Sequence, residues 1–527
     1  MSQTVLVLDG VDAICGEILK DRGFNVIDKP KPSTEEFEKL LPEADAIIVR
    51  SATKINAETL KKAEKLKVVG RAGVGVDNID IKEATRSGVL VMNTPDGNTI
   101  STAEHTCGLI LAMARNIPAA VDSVKAGRWD RKLYMGSEVQ GKTLGIIGLG
   151  KIGSNVASRM KSFGMNILGY DPFCTEEHAR DLGVKLVELS DLLGSSDYLT
   201  VHTPLTEKTK GLVSLKNKDQ LKKGMFIVNC ARGGIYEEAD IVTLLDEGVV
   251  SGVALDVYSS EPLTDELKEI VKHPGVICTP HLGASTTEAQ GKVAEQIAIH
   301  IADAMEGKGF AGSLNGKSIA LSTNDEVQPF LKTAEKLGQF AVQIAPNYTD
   351  EISLSYSGTC ARHSEVLTDA FLSGFMDGYT EDVVNLINAR FHADARGMKI
   401  TETATKESRI YSDLIQVTLP EGADYRVISA TPFGDNDFRI VDIDDYGIEI
   451  HLEGDIVIYR NVDKPGMLAA TSSAFANNGL NIAALSLGRK KDSQAITAFT
   501  LDGKVDESLR LALEELDGVH TVRSVSL

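Results

Sequence analysis

Short runs of continuous apolar, largely β-branched residues recur through the first part of the chain. Four of them precede residue 98, at 4–9, 46–50, 67–72 and 89–93. Between them, 54–65 and 79–87 have the apolar spacing of helices. Continuous rather than alternating apolar runs are typical of parallel strands buried on both faces. The pattern predicts a doubly wound α/β unit.

A second series of apolar runs follows, after an apolar helical segment at 99–115. These runs lie at 143–147, 166–170, 198–202, 226–230, 252–256 and 276–279. They predict a second parallel sheet, also of the doubly wound, Rossmann-like kind. A long helical pattern begins after Thr286, and we expect this helix to return to the first unit. The first domain is then discontinuous (1–98 and 286–312) around a second domain, 99–285.

The pattern changes after the glycine-rich segment 307–318, which predicts a linker. Residues 315–454 predict a mixed α+β domain. Its acidic end, 435–455, has eight carboxylates against one arginine, which favours a solvated strand pair and leaves an ion or partner site open. The last 73 residues, 455–527, have the order strand, helix, strand, strand, helix, strand. That order predicts a ferredoxin-like domain.

Composition adds constraints on partners. The net charge of −20 argues against nucleic acid as a partner, and it means that an anionic ligand needs local cations. With no apolar run of about 20 residues and no basic leader, we expect neither a membrane span nor a signal peptide. The six cysteines have no clustered spacing and predict reduced thiols in a cytoplasmic protein: Cys15, Cys107, Cys174, Cys230, Cys278 and Cys360.

A glycine motif follows the first strand of the second series. Gly148, Gly150 and Gly153 form GxGxxG between an apolar strand and a helix, which is the context that dinucleotide binding requires. Asp171 ends the next strand, where a carboxylate can bond the ribose 2′-hydroxyl and repel a 2′-phosphate. The motif predicts NAD rather than NADP. For both the glycine motif and Asp171, the alternative is a turn with a structural role only.

Three residues downstream suggest hydride transfer to or from a 2-hydroxy acid. His281 supplies an acid or base, Glu261 a carboxylate to fix its tautomer and raise its basicity, and Arg232 a cation for a substrate carboxylate or carbonyl. The sequence order alone does not bring them together in space.

These motifs resemble the D-isomer-specific 2-hydroxyacid dehydrogenase family over residues 1 to about 312. The matching pieces are RAGVGVDNID (71–80), NTPDGNTISTAEH (93–105), GLGKIG (148–153), HTPLT (202–206), NCARGG (229–234), ALDVYSSEP (254–262) and TPHLGAST (279–286). The rest resembles long-form members of this family, with an intervening domain (315–454) and an ACT regulatory domain (455–527).

The resemblance implies a catalytic set of Arg232, Glu261 and His281, and no metal. It implies that NAD contacts Gly148, Gly150, Lys151, Ile152, Gly153, Asp171, Thr203, Cys230, Ala231, Arg232, Asp256, His281, Gly283 and Ala284. Among these, Asp256 is expected to take the nicotinamide carboxamide.

The resemblance also implies 3-phospho-D-glycerate as the substrate. The loop Gly73, Val74 and Gly75 is the candidate for its carboxylate. The cationic candidates for its phosphate are Arg50, Arg71 and Arg131. Arg131, together with Lys132, is expected to contribute across a dimer interface. Ser51 and Asn98 complete the predicted substrate site.

In the ACT domain the resemblance implies L-serine contacts at Asn461, Asp463 and Asn481, and a homodimer or homotetramer. A module that serves only dimerisation is the alternative. For the whole chain the alternatives are another 2-hydroxyacid dehydrogenase, such as a glyoxylate or hydroxypyruvate reductase, and a NAD-sensing binding protein without catalysis.

Overall fold

The computed structural model describes residues 2–345, 349–380, 382–407, 410–490 and 493–527. They form four β-sheets, which follow one another along the chain. The first two sheets are parallel throughout, and the last two are mixed or antiparallel. The predicted fold class, two Rossmann-like units followed by an α+β domain and a ferredoxin-like ACT domain, is confirmed.

The first sheet has five parallel strands in the order β2-β1-β3-β4-β5. They are β1 (Thr4–Leu8), β2 (Asn25–Lys29), β3 (Ala46–Val49), β4 (Val68–Arg71) and β5 (Leu90–Asn93). The helices between them are α1 (Ala13–Asp21), α2 (Thr34–Leu40), α3 (Ala57–Lys62) and α4 (Ile81–Arg86), and a 3₁₀ turn, Leu41–Glu43, follows α2. The sequence analysis missed α1, α2 and β2. Strand β2 is a half-exposed edge strand without a continuous apolar run.

The second sheet has seven parallel strands in the order β12-β11-β10-β9-β6-β7-β8. They are β6 (Thr143–Ile147), β7 (Asn166–Tyr170), β8 (Lys185–Leu186), β9 (Tyr198–Val201), β10 (Met225–Asn229), β11 (Val250–Leu255) and β12 (Val276–Cys278). Its helices are α5 (Thr99–Ala114), α6 (Ile117–Lys125), α7 (Lys151–Ser162), α8 (Glu176–Leu182), α9 (Leu189–Ser195), α10 (Glu238–Asp246) and α11 (Asp265–Val271), with a 3₁₀ segment at Leu215–Gln220.

Helix α12 (Thr287–Met305) leaves the second sheet and packs on the first. Its buried side chains Val293, Ile297 and Ile301 share one core with residues of β1, β3, β4 and β5. Gly70 in β4 allows this contact, because a Cβ there would lie 2.9 Å from Ile297. The domain limits 1–98 with 286–312, 99–285, 315–454 and 455–527 stay predictions.

The strand order reverses once in each parallel sheet, between β1 and β3 and between β6 and β9. Crevices for ligands open at the carboxyl ends of strands where the order reverses. The two sheets therefore present the loops after β1, β3, β6 and β9 as the natural place for a site.

The third sheet has six strands in the order β14-β13-β15-β16-β17-β18, of which only the pair β13–β14 is parallel. They are β13 (Glu351–Ser357), β14 (Lys399–Thr405), β15 (Leu414–Thr418), β16 (Val427–Pro432), β17 (Phe438–Ile443) and β18 (Tyr446–His451). The helices are α13 (Lys317–Leu321), α14 (Gln328–Ile344), α15 (Ser364–Met376) and α16 (Ala389–Ala395), with a 3₁₀ turn at Thr359–His363. The acidic segment forms the pair β17–β18, and its Ile440, Ile448 and Ile450 are buried, so only one face is solvated.

The fourth sheet is antiparallel, in the order β20-β21-β19-β22. Its strands are β19 (Asp455–Val462), β20 (Ile482–Arg489), β21 (Gln494–Leu501) and β22 (Val519–Ser526), and its helices are α17 (Met467–Asn477) and α18 (Glu507–Glu514). The ferredoxin-like prediction is confirmed.

Across the described part of the chain, no single helix has the length and apolar composition to cross a membrane. One bent pair, α5 with α6, meets the test by length and composition only, at an angle of 65°.

Candidate active site

The loop between β6 and α7 has the geometry of a dinucleotide cradle. Gly148 has a φ of 91°, and a Cβ there would lie 2.6 Å from the carbonyl oxygen of His202. A Cβ on Gly153 would lie 2.0 Å from the carbonyl oxygen of Gly148. Gly150, the N-cap of α7, faces open space, with no atom within 4 Å of its ideal Cβ position. The first and third glycines thus allow the loop to pack, and the second leaves room for a phosphate at a helix N-terminus.

Asp171 follows β7 and contacts this loop. Its Oδ2 accepts a hydrogen bond from the Leu149 amide at 2.8 Å, and its Oδ1 accepts one from the Phe173 amide at 2.9 Å. The carboxylate is therefore held beside the glycine loop. A cavity of about 600 Å³ opens there, and Gly150, Lys151 and Ser154 line it. Lys151 is ion-paired with Asp96 at its edge.

Several buried polar atoms near this crevice lack partners among the described residues. They include Oγ1 of Thr203, Nδ1 of His202 and Oδ1 of Asn98. Burial lowers the pKa of His202 to about 3, so its ring is neutral. A buried polar atom without a partner costs free energy unless a ligand or water satisfies it. Together with the open Gly150 position, these atoms fit a bound dinucleotide.

Asp256, at the end of β11, is fully buried and holds the loop that carries His281. Its Oδ1 accepts from the Leu282 amide (2.7 Å) and the Thr279 hydroxyl (2.6 Å), and its Oδ2 accepts from the Gly283 amide (2.8 Å). His105 Nε2, on α5, lies 3.2 Å from Oδ1. Burial acts to raise the pKa of Asp256, but these hydrogen bonds outweigh it and the pKa is lowered.

His105, Cys230 and Asp256 each place one possible ligand atom within 4.8 Å of the others. Burial raises the pKa of the Cys230 thiol to about 12, which disfavours the thiolate that a metal needs. Asp256 already has three well-placed donors besides His105. The cluster is better described as a hydrogen-bonded core behind the site than as a metal centre.

His281 and Glu261 form the pair that the sequence analysis expected. His281 Nδ1 lies 2.7 Å from Glu261 Oε2, while Oε1 of Glu261 accepts from the Tyr258 amide at 3.1 Å. The hydrogen bond with Glu261 raises the pKa of His281, against the opposing effects of burial and of Arg232. His281 has a φ of 55°, a left-handed conformation that costs free energy in a non-glycine residue. The imidazole is half-exposed and its Nε2 has no partner in the described part of the chain.

Arg232 and Arg71 converge on the loop that follows β4. A Cβ on Gly75 would lie 2.1 Å from Arg232 Nη2, and one on Gly73 would lie 2.0 Å from Arg71 Nη1. Burial first, and the charge of Arg232 second, lower the pKa of Arg71 to about 10. The Arg71 Nε is buried, and no described residue gives it a hydrogen-bond partner. The glycines therefore make room for two guanidinium groups, an arrangement suited to an anion.

The remaining predicted substrate residues include Arg50, Val74, Ser51 and Arg131. The charge of Arg50, directly after β3, also lowers the pKa of Arg71, which places the two side chains near each other. The Val74 carbonyl accepts a hydrogen bond from Asn93 at 2.6 Å. Ser51 and Arg131 are exposed, and Arg131 lies in the loop after α6.

The other predicted NAD contacts follow β10 and β12 or lie on α7. Ala231 donates its amide to Asn229 Oδ1 at 2.9 Å, and Cys230 is buried beneath it. Gly283 is buried and Ala284 half-buried in the loop that Asp256 holds, and Ile152 is half-buried on α7. The roles of all these residues stay predictions.

The three predicted effector residues do not meet within one chain. Asn461 is buried, donates to the Val462 carbonyl and accepts from the Thr497 hydroxyl. Asp463 is ion-paired with Arg489, and Asn481 donates to Asp502 at 2.7 Å. Asp463 directly follows the last residue of β19. Asn481 directly precedes β20, and the first residue of β20 is level with the first residue of β19. Seven strand residues separate these ends, or roughly 20 Å.

Sequence reasoning missed three residues that shape the site: His105, Thr279 and Asp77. His105 and Asp256 are 151 positions apart, and Asp77 reaches Arg232 from another sheet. No local pattern signals such contacts. All three residues lie in pieces that match the family, RAGVGVDNID, NTPDGNTISTAEH and TPHLGAST, but the sequence assigns none of them a role.

Comparisons with known proteins agree with this geometry. Residues 107–283 match the family described as D-isomer specific 2-hydroxyacid dehydrogenase, NAD binding domain. Residues 326–444 match the D-3-phosphoglycerate dehydrogenase intervening domain, and residues 456–518 match the ACT domain.

Among solved structures, the chain is similar to a D-lactate dehydrogenase from Aquifex aeolicus complexed with NAD and lactic acid. The two are 28% identical with a TM-score of 0.52, over 58% of this chain and 96% of that one. A glyoxylate reductase from Paecilomyes thermophila is also 28% identical, with a TM-score of 0.55 over 59% of this chain and 98% of that one.

Several similar proteins are D-3-phosphoglycerate dehydrogenases. The D-3-phosphoglycerate dehydrogenase of Archaeoglobus fulgidus is 39% identical over 99% of this chain and 100% of the relative. That of Bacillus subtilis is 40% identical over 93% of each, and that of Homo sapiens is 42% identical over 80% of each. This chain binds NAD in a dehydrogenase fold and belongs to the D-3-phosphoglycerate dehydrogenase family.

Proposed function

We propose that this protein oxidises the C2 hydroxyl of 3-phospho-D-glycerate to give 3-phosphohydroxypyruvate, with NAD as the oxidant. This is the first step of the phosphorylated route to L-serine. The observation that carries the proposal is the pairing of His281 with Glu261 on a loop clamped by Asp256, next to the guanidinium of Arg232. NAD, when bound, supplies the acceptor for the C2 hydride.

In this proposal the chain's own residues bind the substrate and move one proton. Nε2 of His281 accepts the C2 hydroxyl proton during oxidation and returns it during reduction. Glu261 fixes Nδ1 as the protonated nitrogen and stabilises the imidazolium that forms. Arg232 binds the carboxylate and polarises the C2 oxygen.

The phosphate is assigned to Arg50 and Arg71. They lie at the carboxyl ends of β3 and β4, beside the point where the strand order of the first sheet reverses. A chain of net charge −20 needs such a cationic cluster to hold a multiply charged anion. Burial of Arg71 strengthens its interaction with an anion because little water screens it.

An absorbance assay for NADH tests the proposal. The purified protein with NAD is given 3-phospho-D-glycerate, D-glycerate and D-lactate in separate reactions, and glyoxylate with NADH in the reverse direction. We expect the highest kcat/KM for 3-phospho-D-glycerate. A preference for glyoxylate or D-lactate would support a different 2-hydroxyacid dehydrogenase, and NAD binding without turnover of any substrate would support a binding protein. The His281→Ala variant is the blank for background reduction.

We also propose that L-serine binds where two ACT units meet. Asp463 and Asn481 lie at opposite ends of one sheet, so an antiparallel pairing of two β20 edges brings Asp463 of one chain near Asn481 of the other. Calorimetric titration of the full chain with L-serine, and with D-serine as control, tests this proposal. Absence of heat with L-serine would leave the ACT unit as a dimerisation module.

A homodimer is proposed from a second surface, around α6 and the loop after it. This surface exposes a group of large apolar side chains: Ile117, Val121, Val124, Trp129, Leu133 and Met135. Contiguous exposed apolar side chains on a folded protein mark interaction sites. A second copy on this face would also carry Arg131 to its partner. Sedimentation of the native chain and of Trp129→Glu distinguishes a dimer or tetramer from a monomer.

The cytoplasmic location stays a prediction, which the six free thiols support.

A further inference from the structure

The guanidinium of Arg232 contacts a carboxylate of its own chain. Nε of Arg232 lies 3.1 Å from Oδ2 of Asp77. Asp77 belongs to the loop between β4 and α4, whereas Arg232 follows β10 of the other parallel sheet. The contact therefore joins a loop of the first parallel sheet to a loop of the second.

Other groups already hold Arg232 without the help of Asp77. Its Nη1 donates to the Ala231 carbonyl at 2.7 Å, and its backbone carbonyl accepts from Asn229 at 2.8 Å. Its Nη2 lies against Gly75, where a Cβ would be 2.1 Å away. The guanidinium is thus fixed on two sides, and Asp77 occupies its Nε side.

The Asp77 side chain can turn away from Arg232 into solvent. Its side chain is 78% exposed, against 33% for Arg232. An exposed carboxylate regains its hydration when it turns outward, so the contact is easily exchanged. Asp77 also opposes the lowering of the Arg71 pKa, which places its charge near both arginines of the cluster. Before a substrate arrives, Asp77 and Asp9 are carboxylates that offset part of this positive charge, and Asp77 is the one that contacts Arg232.

We propose that Asp77 is a displaceable counter-ion that competes with the substrate carboxylate for Arg232 and so sets the affinity for 2-hydroxy acids. The inference rests on the proposed function, because it assumes that Arg232 binds the substrate carboxylate. A carboxylate that bonds an arginine through two nitrogens needs adjacent donors, and the pair Nε and Nη2 is one such edge. Asp77 Oδ2 lies 3.1 Å from the Nε of this edge and is the group that the substrate carboxylate displaces.

The consequence is opposite to that of an ordinary binding residue. Removing the charge of Asp77 removes the competitor, so the KM for the substrate falls. Exposed ion pairs contribute about 0.2–1 kcal/mol, which corresponds to a decrease of roughly 1.4- to 5-fold. The kcat changes little, since the displaced side chain no longer touches Arg232 once the substrate is bound.

Steady-state kinetics with 3-phospho-D-glycerate test the inference on Asp77→Asn. Glu35→Gln is the control, because it removes one negative charge from an exposed ion pair with Lys39 on α2, outside the site. We expect a lower KM and an unchanged kcat for Asp77→Asn, and no change for Glu35→Gln. Asp77→Glu keeps the charge and retains the KM of the native chain. An unchanged or raised KM in Asp77→Asn overturns the inference. If the asparagine variant does not fold, Asp77→Ser measures the same loss of charge with a smaller side chain.

Oxalate binding separates this inference from the proposed function. Oxalate has two adjacent carboxylates and binds an arginine without undergoing oxidation, and its Kd is measured by calorimetry on the full chain with NADH bound. A lower Kd in Asp77→Asn supports the role of Asp77 even if no hydroxy acid is oxidised. If 3-phospho-D-glycerate is oxidised while both its KM and the oxalate Kd stay unchanged in the variant, only the Asp77 inference fails.

Discussion

Nδ1 of His281 lies 2.7 Å from Oε2 of Glu261, although the two residues are 20 positions apart. The pairing leaves Nε2 as the nitrogen that can exchange a proton with a substrate. It also raises the pKa of His281, because the carboxylate stabilises the imidazolium. The half-exposed position of the ring suits a group that must reach a bound substrate.

Glu261→Gln is expected to lower the pKa of His281. For oxidation, His281 must be neutral, so the fall of kcat/KM with decreasing pH moves to lower pH in the variant. For reduction, His281 must be protonated, so the loss of activity with increasing pH begins at a lower pH in the variant than in the native chain. Glutamine can still accept a hydrogen bond from Nδ1, so the variant loses only the charge of the acceptor. The difference between a charged and a neutral hydrogen bond, about 1–1.5 kcal/mol, predicts a roughly 5- to 13-fold lower kcat for reduction at neutral pH.

The measurement is a pair of pH profiles, one in each direction, for the native chain and the variant. Glu269→Gln is the control, because it removes an exposed ion pair between Glu269 on α11 and Lys272 directly after this helix. Superimposable profiles for the native chain and Glu261→Gln would show that Glu261 does not tune His281. The pairing of His281 with Glu261 also stabilises the folded protein. This contribution is fully present below the pKa of His281 in the unfolded chain, about 6.5, and is lost as the pH rises through the raised pKa of His281 in the folded protein.

Alanine at Gly150 and alanine at Gly153 are expected to have different effects. A Cβ at Gly153 meets the Gly148 carbonyl oxygen at 2.0 Å, so Gly153→Ala should destabilise the protein by about 1–3 kcal/mol. Gly150 faces open space, so Gly150→Ala should fold normally and bind NAD at least about tenfold more weakly, because its methyl group occupies the phosphate position.

Thermal unfolding without ligand and titration with NADH separate the two effects. Each variant serves as the control for the other. Equal loss of stability in both variants, or native NADH affinity in Gly150→Ala, contradicts the proposed cradle.

Asp256→Asn is expected to loosen the loop of His281. In the variant, the side-chain NH2 of asparagine takes the place of one carboxylate oxygen of Asp256, which accepts from the backbone amide of Leu282 or Gly283. Two hydrogen-bond donors then face each other in a buried position. An unsatisfied buried group costs about 1–3 kcal/mol, and kcat should fall more than KM rises. Since the folded pKa of Asp256 is lowered, its stabilising charge is present above about pH 3.9 and is lost as pH falls through the folded value.

The check is the free energy of unfolding together with kcat at neutral pH. Asp265→Asn, at an exposed pair with Lys268, is the matched control. If Asp256→Asn retains both native stability and native kcat, the carboxylate does not hold the loop.

Arg50→Ala is expected to weaken phosphate binding selectively. The loss of a charge-assisted hydrogen bond, about 1.5–3 kcal/mol, predicts a roughly 10- to 150-fold higher KM for 3-phospho-D-glycerate. The KM for D-glycerate, which has no phosphate, is the internal control and should change little. Equal increases for the two substrates contradict the assignment of Arg50 to the phosphate.

The sequence by itself determined the elements that depend on local pattern. Continuous apolar runs predicted ten of the twelve parallel strands correctly, and GxGxxG predicted the cradle at Gly148–Gly153, because both signals are local in the chain. The edge strands β2 and β8 lacked such runs and were missed. The motifs predicted that Glu261 pairs with His281, and the 2.7 Å distance between them confirms the contact, whereas their catalytic role stays a prediction.

Only the tertiary structure decided which side chains meet. The clamp of Asp256 on the His281 loop, the support of that clamp by His105, and the contact of Asp77 with Arg232 all join residues far apart in the chain. The same is true of the separation of Asp463 from Asn481 by the length of a strand. Periodicity reports which face of an element is buried, whereas such contacts depend on strand order and on how the sheets pack, and no local pattern encodes either.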